Sequence, residues 1–197
     1  MFTKTQIKIM EIFVSKINNK FSIKEIAESL KKPYALIYKS IQELIKRGFI
    51  LKDDKSLLCL NFRDNFSELA YIESERLKKL LDKDKTLYLF AKDVIEKCRL
   101  DSFIFLIFGS SIEHNCPRDI DILFIIEDKS KINEIEKFLN NIASNFSKKF
   151  DINTISYGSA NEMLFKRENI NIMNESLNKH MIIFGAENYY RILKNAR

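Results

Sequence analysis

Six apolar residues in a row, Phe103–Phe108, run without interruption into Gly109-Ser110. A run this short is a strand rather than a helix, and its unbroken apolar character means that both of its faces are covered. The chain around it must therefore supply helices to pack on a sheet, which gives an α/β or α+β class. Soon after the turn the sequence returns to a strand as Asp119-Ile120-Asp121 and stays apolar to Ile126. Alternate strand residues face the same way, so Asp119 and Asp121 project together while Ile120 and Ile122 point into the core. Two carboxylates side by side repel, and a hard divalent cation between them and a phosphate makes the pair favourable. Gly109 permits close backbone approach, and Ser110 offers a hydroxyl and an amide to phosphate oxygens.

Further elements follow from periodicity. Residues 131–145 place Ile132, Ile135, Phe138, Leu139 and Ile142 on one helical side. A third strand is expected over 150–157, with Asp151, Asn153, Ile155 and Tyr157 on one face. Helices are expected from about Ser159, near Asn174 and from Ala186, with a short strand at 181–184. Two charged amphipathic helices precede the sheet. Leu69, Ile72, Leu77, Leu80 and Leu81 line residues 64–82, and Leu87, Phe90, Ala91, Val94 and Ile95 line residues 84–99.

The first sixty residues read as three helices and a hairpin. Ile9, Ile12, Phe13 and Ile17 form one stripe; Ser22 and Glu25 form a capping box; Pro33 opens a third helix that Gly48 ends. Phe49–Leu51 and Leu57–Leu60 flank the turn Asp53-Asp54-Lys55-Ser56. This order, and the phrase SIKEIAESLKKPYALIYKSIQELIKRGFI with Ala27, Leu44 and Gly48 at its landmark positions, resembles the winged helix-turn-helix family. That resemblance implies a double-stranded DNA surface made of Tyr34, Tyr38, Lys39 and Gln42 on the third helix. Lys31 and Lys32 would stand at its start, and Lys52 and Lys55 in the wing. Lysines there would meet phosphates, and Tyr or Gln would reach bases. A homodimer on a symmetric site is the corresponding expectation.

The segment FIFLIFGSSIEHNCPRDIDILFIIED resembles the GS…DxD signature of the polymerase-β nucleotidyltransferase superfamily, including its minimal prokaryotic members. The closing stretch HMIIFGAENYYRIL is similar to theirs as well. The resemblance implies that Asp119 and Asp121 hold Mg²⁺ (or Mn²⁺) on a nucleoside triphosphate. It further implies that Asp151 helps hold a second metal and assists deprotonation of an attacking hydroxyl. The chain departs from that family in a shorter segment between Ser110 and Asp119, and it lacks the Arg-Gly pair that often follows the Gly-Ser. Arg118 is the candidate replacement for the missing phosphate contact. His114 reads as a loop residue, His180 as a residue packing or capping ahead of the last strand, and Tyr189 and Tyr190 as core or interface aromatics.

The expected organisation is a winged helix-turn-helix over 1–62, a helical connector over 63–83 and a nucleotidyltransferase domain over 84–197. Charge supports the division. Residues 1–60 carry 12 Lys/Arg against 6 Asp/Glu, and the remainder carries 21 of each, so the whole excess of +6 lies in the first third. The longest apolar run is far too short for a membrane span, and the first ten residues contain no signal-peptide core, so a cytoplasmic chain is expected. Cys59, Cys98 and Cys116 form neither a zinc spacing nor a disulfide framework. Two functions remain open at this point. One is an enzyme transferring a nucleotidyl group to the hydroxyl of a protein, nucleic acid or small molecule. The other is a DNA-binding regulator or antitoxin whose second domain senses nucleotide or binds a partner such as a toxin.

Overall fold

The computed structural model describes residues 1–112, 119–166 and 171–196. Three helices open the chain: α1 (Lys4–Ser15), α2 (Ile23–Leu30) and α3 (Tyr34–Lys46). Each end has a local cause. Thr3 and Gln6 form a capping box at α1, and Ser22 and Glu25 form the expected one at α2. Lys31 adopts a left-handed conformation after α2, and Gly48 does so after α3. Strands β1 (Ile50–Lys52) and β2 (Leu58–Leu60) then pair antiparallel. Asp53 shapes the turn between them by accepting from the amides of Lys55 and Leu57, and it also takes Lys20 Nζ at 2.6 Å.

Two helices, α4 (Phe66–Leu81) and α5 (Lys85–Lys97), lead to the sheet. It comprises β3 (Phe103–Phe108), β4 (Asp119–Ile126), β5 (Lys149–Ser156) and β6 (His180–Phe184), in the order β5-β4-β3-β6. β3 runs antiparallel to both neighbours, whereas β4 and β5 are parallel. The parallel pair is joined by α6 (Ile132–Ala143), the crossover helix that such a connection requires. α7 (Tyr157–Phe165), α8 (Ile172–Ser176) and α9 (Ala186–Asn195) complete the α+β fold.

The unbroken run in β3 has the expected explanation. Phe103, Phe105 and Ile107 face α5 and α6, where they pack with Phe90, Val94 and Leu139. Ile104, Leu106 and Phe108 face the opposite layer, with Leu164, Tyr189 and Leu193 from α7 and α9. That second layer continues without a break through Leu69 and Ile72 of α4 into Ile9, Phe13, Ile37 and Leu44 of the first three helices. The basic first third is therefore packed onto the sheet unit through α4 rather than strung from it. A further tie comes from the amide of Ile17, which donates to the Leu177 carbonyl at 3.0 Å.

The end of β5 differs from expectation. Tyr157 begins α7 instead of ending β5, because the Ser156 hydroxyl caps the helix by accepting from the Ser159 amide at 3.1 Å. Gly185 starts α9 at φ +79°, and a β-carbon there would lie 2.2 Å from the Phe103 carbonyl oxygen. Only glycine fits so close to β3. No helix among the described residues is long and apolar enough to cross a membrane.

Candidate functional site

At one end of the sheet four residues stand in a single cross-strand row. His180 of β6 is opposite Phe108 of β3, Phe108 is opposite Asp121 of β4, and Asp121 is opposite Asp151 of β5. Residues opposed in register share a face of the sheet. Asp119 joins that face two positions before Asp121, and its partner across the parallel ladder is Lys149. The three aspartates expected from the sequence are thus brought to one corner. Two of them are direct neighbours across β4 and β5.

Gly109 follows Phe108 at φ +74°, and its amide donates to the Lys179 carbonyl at 3.0 Å. A β-carbon on Gly109 would fall 2.9 Å from Asp121 Oδ2. The absence of a side chain there is what lets the carboxylate lie against the backbone turn. Ser110 continues that turn, a short 3₁₀ helix over Gly109–Ile112. Arg118 and His114 lie outside the described residues.

The electrostatics of the corner are unbalanced. Partial burial pushes the Asp121 carboxyl above its ordinary value, and the charges of Asp151, Asp119 and Glu175 push the same way. Lys149 opposes them. Its Nζ lies 3.3 Å from Asp119 Oδ2 in a pair that is 73% and 45% exposed. Glu175, at the end of α8, was not anticipated. A five-residue helix with no spacing relation to the aspartates gives no sequence signal. Among the described residues no three His, Cys, Asp or Glu side chains are already gathered closely enough to hold a metal ion. The donors present still suit magnesium, which typically takes one or two protein carboxylates and completes its shell with water and substrate phosphate. The corner also provides the cradle, since Gly109 leaves room beside Asp121 that any side chain would fill.

On the same face of the sheet, at the β6 end of that row, lies a buried polar group that sequence reasoning missed. Glu73 and Arg76 of α4 are 1% and 9% exposed and form a 2.6 Å ion pair. Glu73 Oε1 also accepts from the Tyr190 hydroxyl at 2.8 Å and lies 3.2 Å from His180 Nε2. Arg76 donates to the His180 carbonyl at 2.8 Å. His180 Nδ1 is 2.6 Å from the Ser176 carbonyl, which can only accept, so that nitrogen carries a proton. His180 thus packs at the head of the last strand, and Tyr189 and Tyr190 are core aromatics, as expected.

The residues expected to meet DNA form a second surface. Tyr34, Tyr38, Lys39 and Gln42 are exposed on α3, opposite the buried Ile37, Ile41 and Leu44. The Tyr34 and Tyr38 rings stack at 6.2 Å. Lys31, Lys52 and Lys55 are exposed and Lys32 half-buried.

No family model matches the sequence, and no curated protein matches it significantly. Among solved structures, the chain is similar to IclR of Thermotoga maritima at 20% identity, over 55% of this chain and 40% of that one, with a TM-score of 0.29. A likeness at that score carries no argument. This chain spans well under half of that structure, and the fold stands on the elements described above.

Proposed function

We propose that the acidic corner is the site of a divalent-metal-dependent nucleotidyltransferase of the polymerase-β type. It would transfer a nucleoside monophosphate from a triphosphate to an acceptor hydroxyl. The observation that carries this reading is the register pair Asp121–Asp151, with Asp119 on the same face and a glycine turn against Asp121. Magnesium or manganese, when bound, would neutralise the triphosphate and the oxygens of an in-line displacement. Asp119 and Asp121 would hold it, and Asp151 would help to hold a second ion. The Gly109-Ser110 turn would bring backbone close to the phosphates. Asp151, the most exposed of the three at a sheet edge, would take the proton of the acceptor hydroxyl. The new bond forms from that oxygen to the α-phosphorus, the bond to the β-phosphate oxygen breaks, and pyrophosphate leaves.

The test is calorimetric titration of the four ribonucleoside triphosphates with Mg²⁺ into the wild type and into Asp119→Ala/Asp121→Ala. The expected result is micromolar, metal-dependent binding that the double variant loses by at least about 100-fold, as removal of two charge-assisted contacts implies. Absence of binding to the wild type would overturn the reading.

The first three helices and the hairpin support a second, compatible role in this proposal, that of a winged helix-turn-helix DNA-binding module. The observation favouring it is the exposure of Tyr34, Tyr38, Lys39 and Gln42 on one face of α3, in a segment that holds all the excess charge. Random double-stranded DNA should be retarded in a gel by the full chain. Lys31→Glu/Lys39→Glu should weaken that binding by about tenfold or more and flatten its salt dependence. Retardation that the variant leaves unaltered would exclude this face, and a homodimer on the DNA would appear as a doubled mass.

A further inference from the structure

The proposed metal site has a cation of its own. Lys149 stands opposite Asp119 across the parallel ladder, two positions before Asp151 on the same face of β5. Its neighbour Lys148, just before the strand, is held by Asp84 at 2.5 Å. Lys149 meets Asp119 in one long contact of 3.3 Å, with its side chain 73% exposed. A pair this open contributes little to folding. The Lys149 charge also acts on Asp121, in a corner where Asp119, Asp151 and Glu175 bring only negative charge.

We propose that Lys149 is a triphosphate-positioning residue that shares Asp119 with the catalytic cation. This rests on the nucleotidyltransferase reading of the same corner. In the metal-free protein the ammonium is the counter-charge of Asp119. Asp119, once engaged in holding a divalent cation, would no longer need Lys149 as its counter-charge. Lysine is a compact charge on a flexible stem, so the freed ammonium can move without disturbing the strand. The triphosphate that such a cation brings would then offer the ammonium a new and more highly charged anion. One residue thereby lowers the affinity of the site for metal alone and raises its affinity for the metal–triphosphate complex. The substrate's charge, rather than the free ion, then loads the site.

The opposite signs make the inference testable without turnover. Mn²⁺ alone, followed by water-proton relaxation, and Mg²⁺–ATP, followed by calorimetry, are titrated into the wild type, Lys149→Met, Lys149→Thr and Lys149→Arg. The methionine and threonine variants should bind Mn²⁺ alone about threefold more tightly and Mg²⁺–ATP about tenfold more weakly, the scale of one partly exposed charge contact. The arginine variant should keep the wild-type affinity for Mg²⁺–ATP. Thermal midpoints of all four should agree, because the pair is not structural. Two affinities that fall together would assign Lys149 to the fold, and two that stay unchanged would remove it from the site. Either result beside a wild type that binds Mg²⁺–ATP overturns the role of Lys149 alone. A wild type that binds neither ligand overturns the site reading and this inference together.

Discussion

Asp121→Asn is expected to remove metal-dependent triphosphate binding and at the same time to raise the thermal midpoint of the metal-free protein at pH 7. The two effects share one cause. Asp121 sits in a half-buried position beside Asp151 and within the field of Asp119 and Glu175, which holds its carboxyl above the ordinary value of 3.8. An acid whose folded pKa is raised binds its proton more tightly in the folded state. Its ionised form therefore works against folding at every pH above that raised value, and the burden disappears as pH falls towards 3.8. Asparagine keeps the shape and a carbonyl but carries no charge.

After discounting for solvent screening, the gain is about 1 kcal/mol or less, which corresponds to about 1–4 °C in a chain of this size. The gain should shrink as the pH is lowered from 7 to 4 and vanish near the bottom of that range. Melting curves of both proteins across that pH range, without and with Mg²⁺–ATP, check all of it. With ligand present the order should invert, because only the wild type is stabilised by binding. A variant that melts below the wild type at pH 7 without ligand would show that Asp121 is a structural residue, and the repulsion argument would fail.

Much of this corner was legible in advance, and the illegible part has a definite cause. Strand parity within one segment is a local property. Phe103–Phe108 was bounded correctly from its apolar run, and Asp119 and Asp121 were placed on one face from their spacing alone. The same holds for the Ser22–Glu25 cap and the Gly48 stop, which depend on neighbours a few residues away. Register between strands is not local. That Asp121 is opposite Asp151, or that Lys149 is opposite Asp119, depends on how β4 and β5 slide against each other across α6. Periodicity places a residue on a face and says nothing of its partner. Glu175 escaped for the same reason, since its proximity to Asp121 is made by the path of the chain between β5 and β6.

The largest effect on stability is expected at a buried ion pair that the leucine pattern of α4 does not announce. The leucines of α4 suggested a stripe through Leu69, Ile72, Leu77, Leu80 and Leu81. The buried stripe is Leu69, Ile72, Glu73 and Arg76, with Leu77 and Leu80 only partly covered. Spacing of three and four from Leu69 and Ile72 also reaches Glu73 and Arg76, but charged residues are seldom buried unless paired, so hydropathy alone does not mark them.

Burial pushes the Glu73 carboxyl up, but the Arg76 guanidinium and the hydrogen bonds from His180 and Tyr190 more than reverse this and hold it below its ordinary 4.5. Glu73→Gln would leave Arg76 buried without a counter-charge, at a cost of about 3–5 kcal/mol. In a chain of this length that lowers the thermal midpoint by about 10 °C.

The pH dependence carries the sign. A depressed carboxyl stabilises the fold above its unfolded pKa, and that stability is lost as pH falls below 4.5 through the folded value. The wild type should lose stability in that window more steeply than Glu73→Gln, so the gap between them narrows towards low pH. Adding Arg76→Met should recover part of the loss, because it removes the stranded charge, and the two changes should be strongly non-additive. Melting of the three variants from pH 7 to 3.5 decides the matter. Simple additivity would mean that Glu73 and Arg76 do not act as a unit. The cluster matters to the site because His180 occupies the same cross-strand row as Asp121, with only Phe108 between them. A row held at its His180 end by α4 keeps the Gly109 turn, whose amide is anchored on Lys179, in place against the carboxylate. Metal–triphosphate affinity in Glu73→Gln, measured well below its melting range, should therefore fall as well, although Glu73 stands at the His180 end of the row and not among the aspartates.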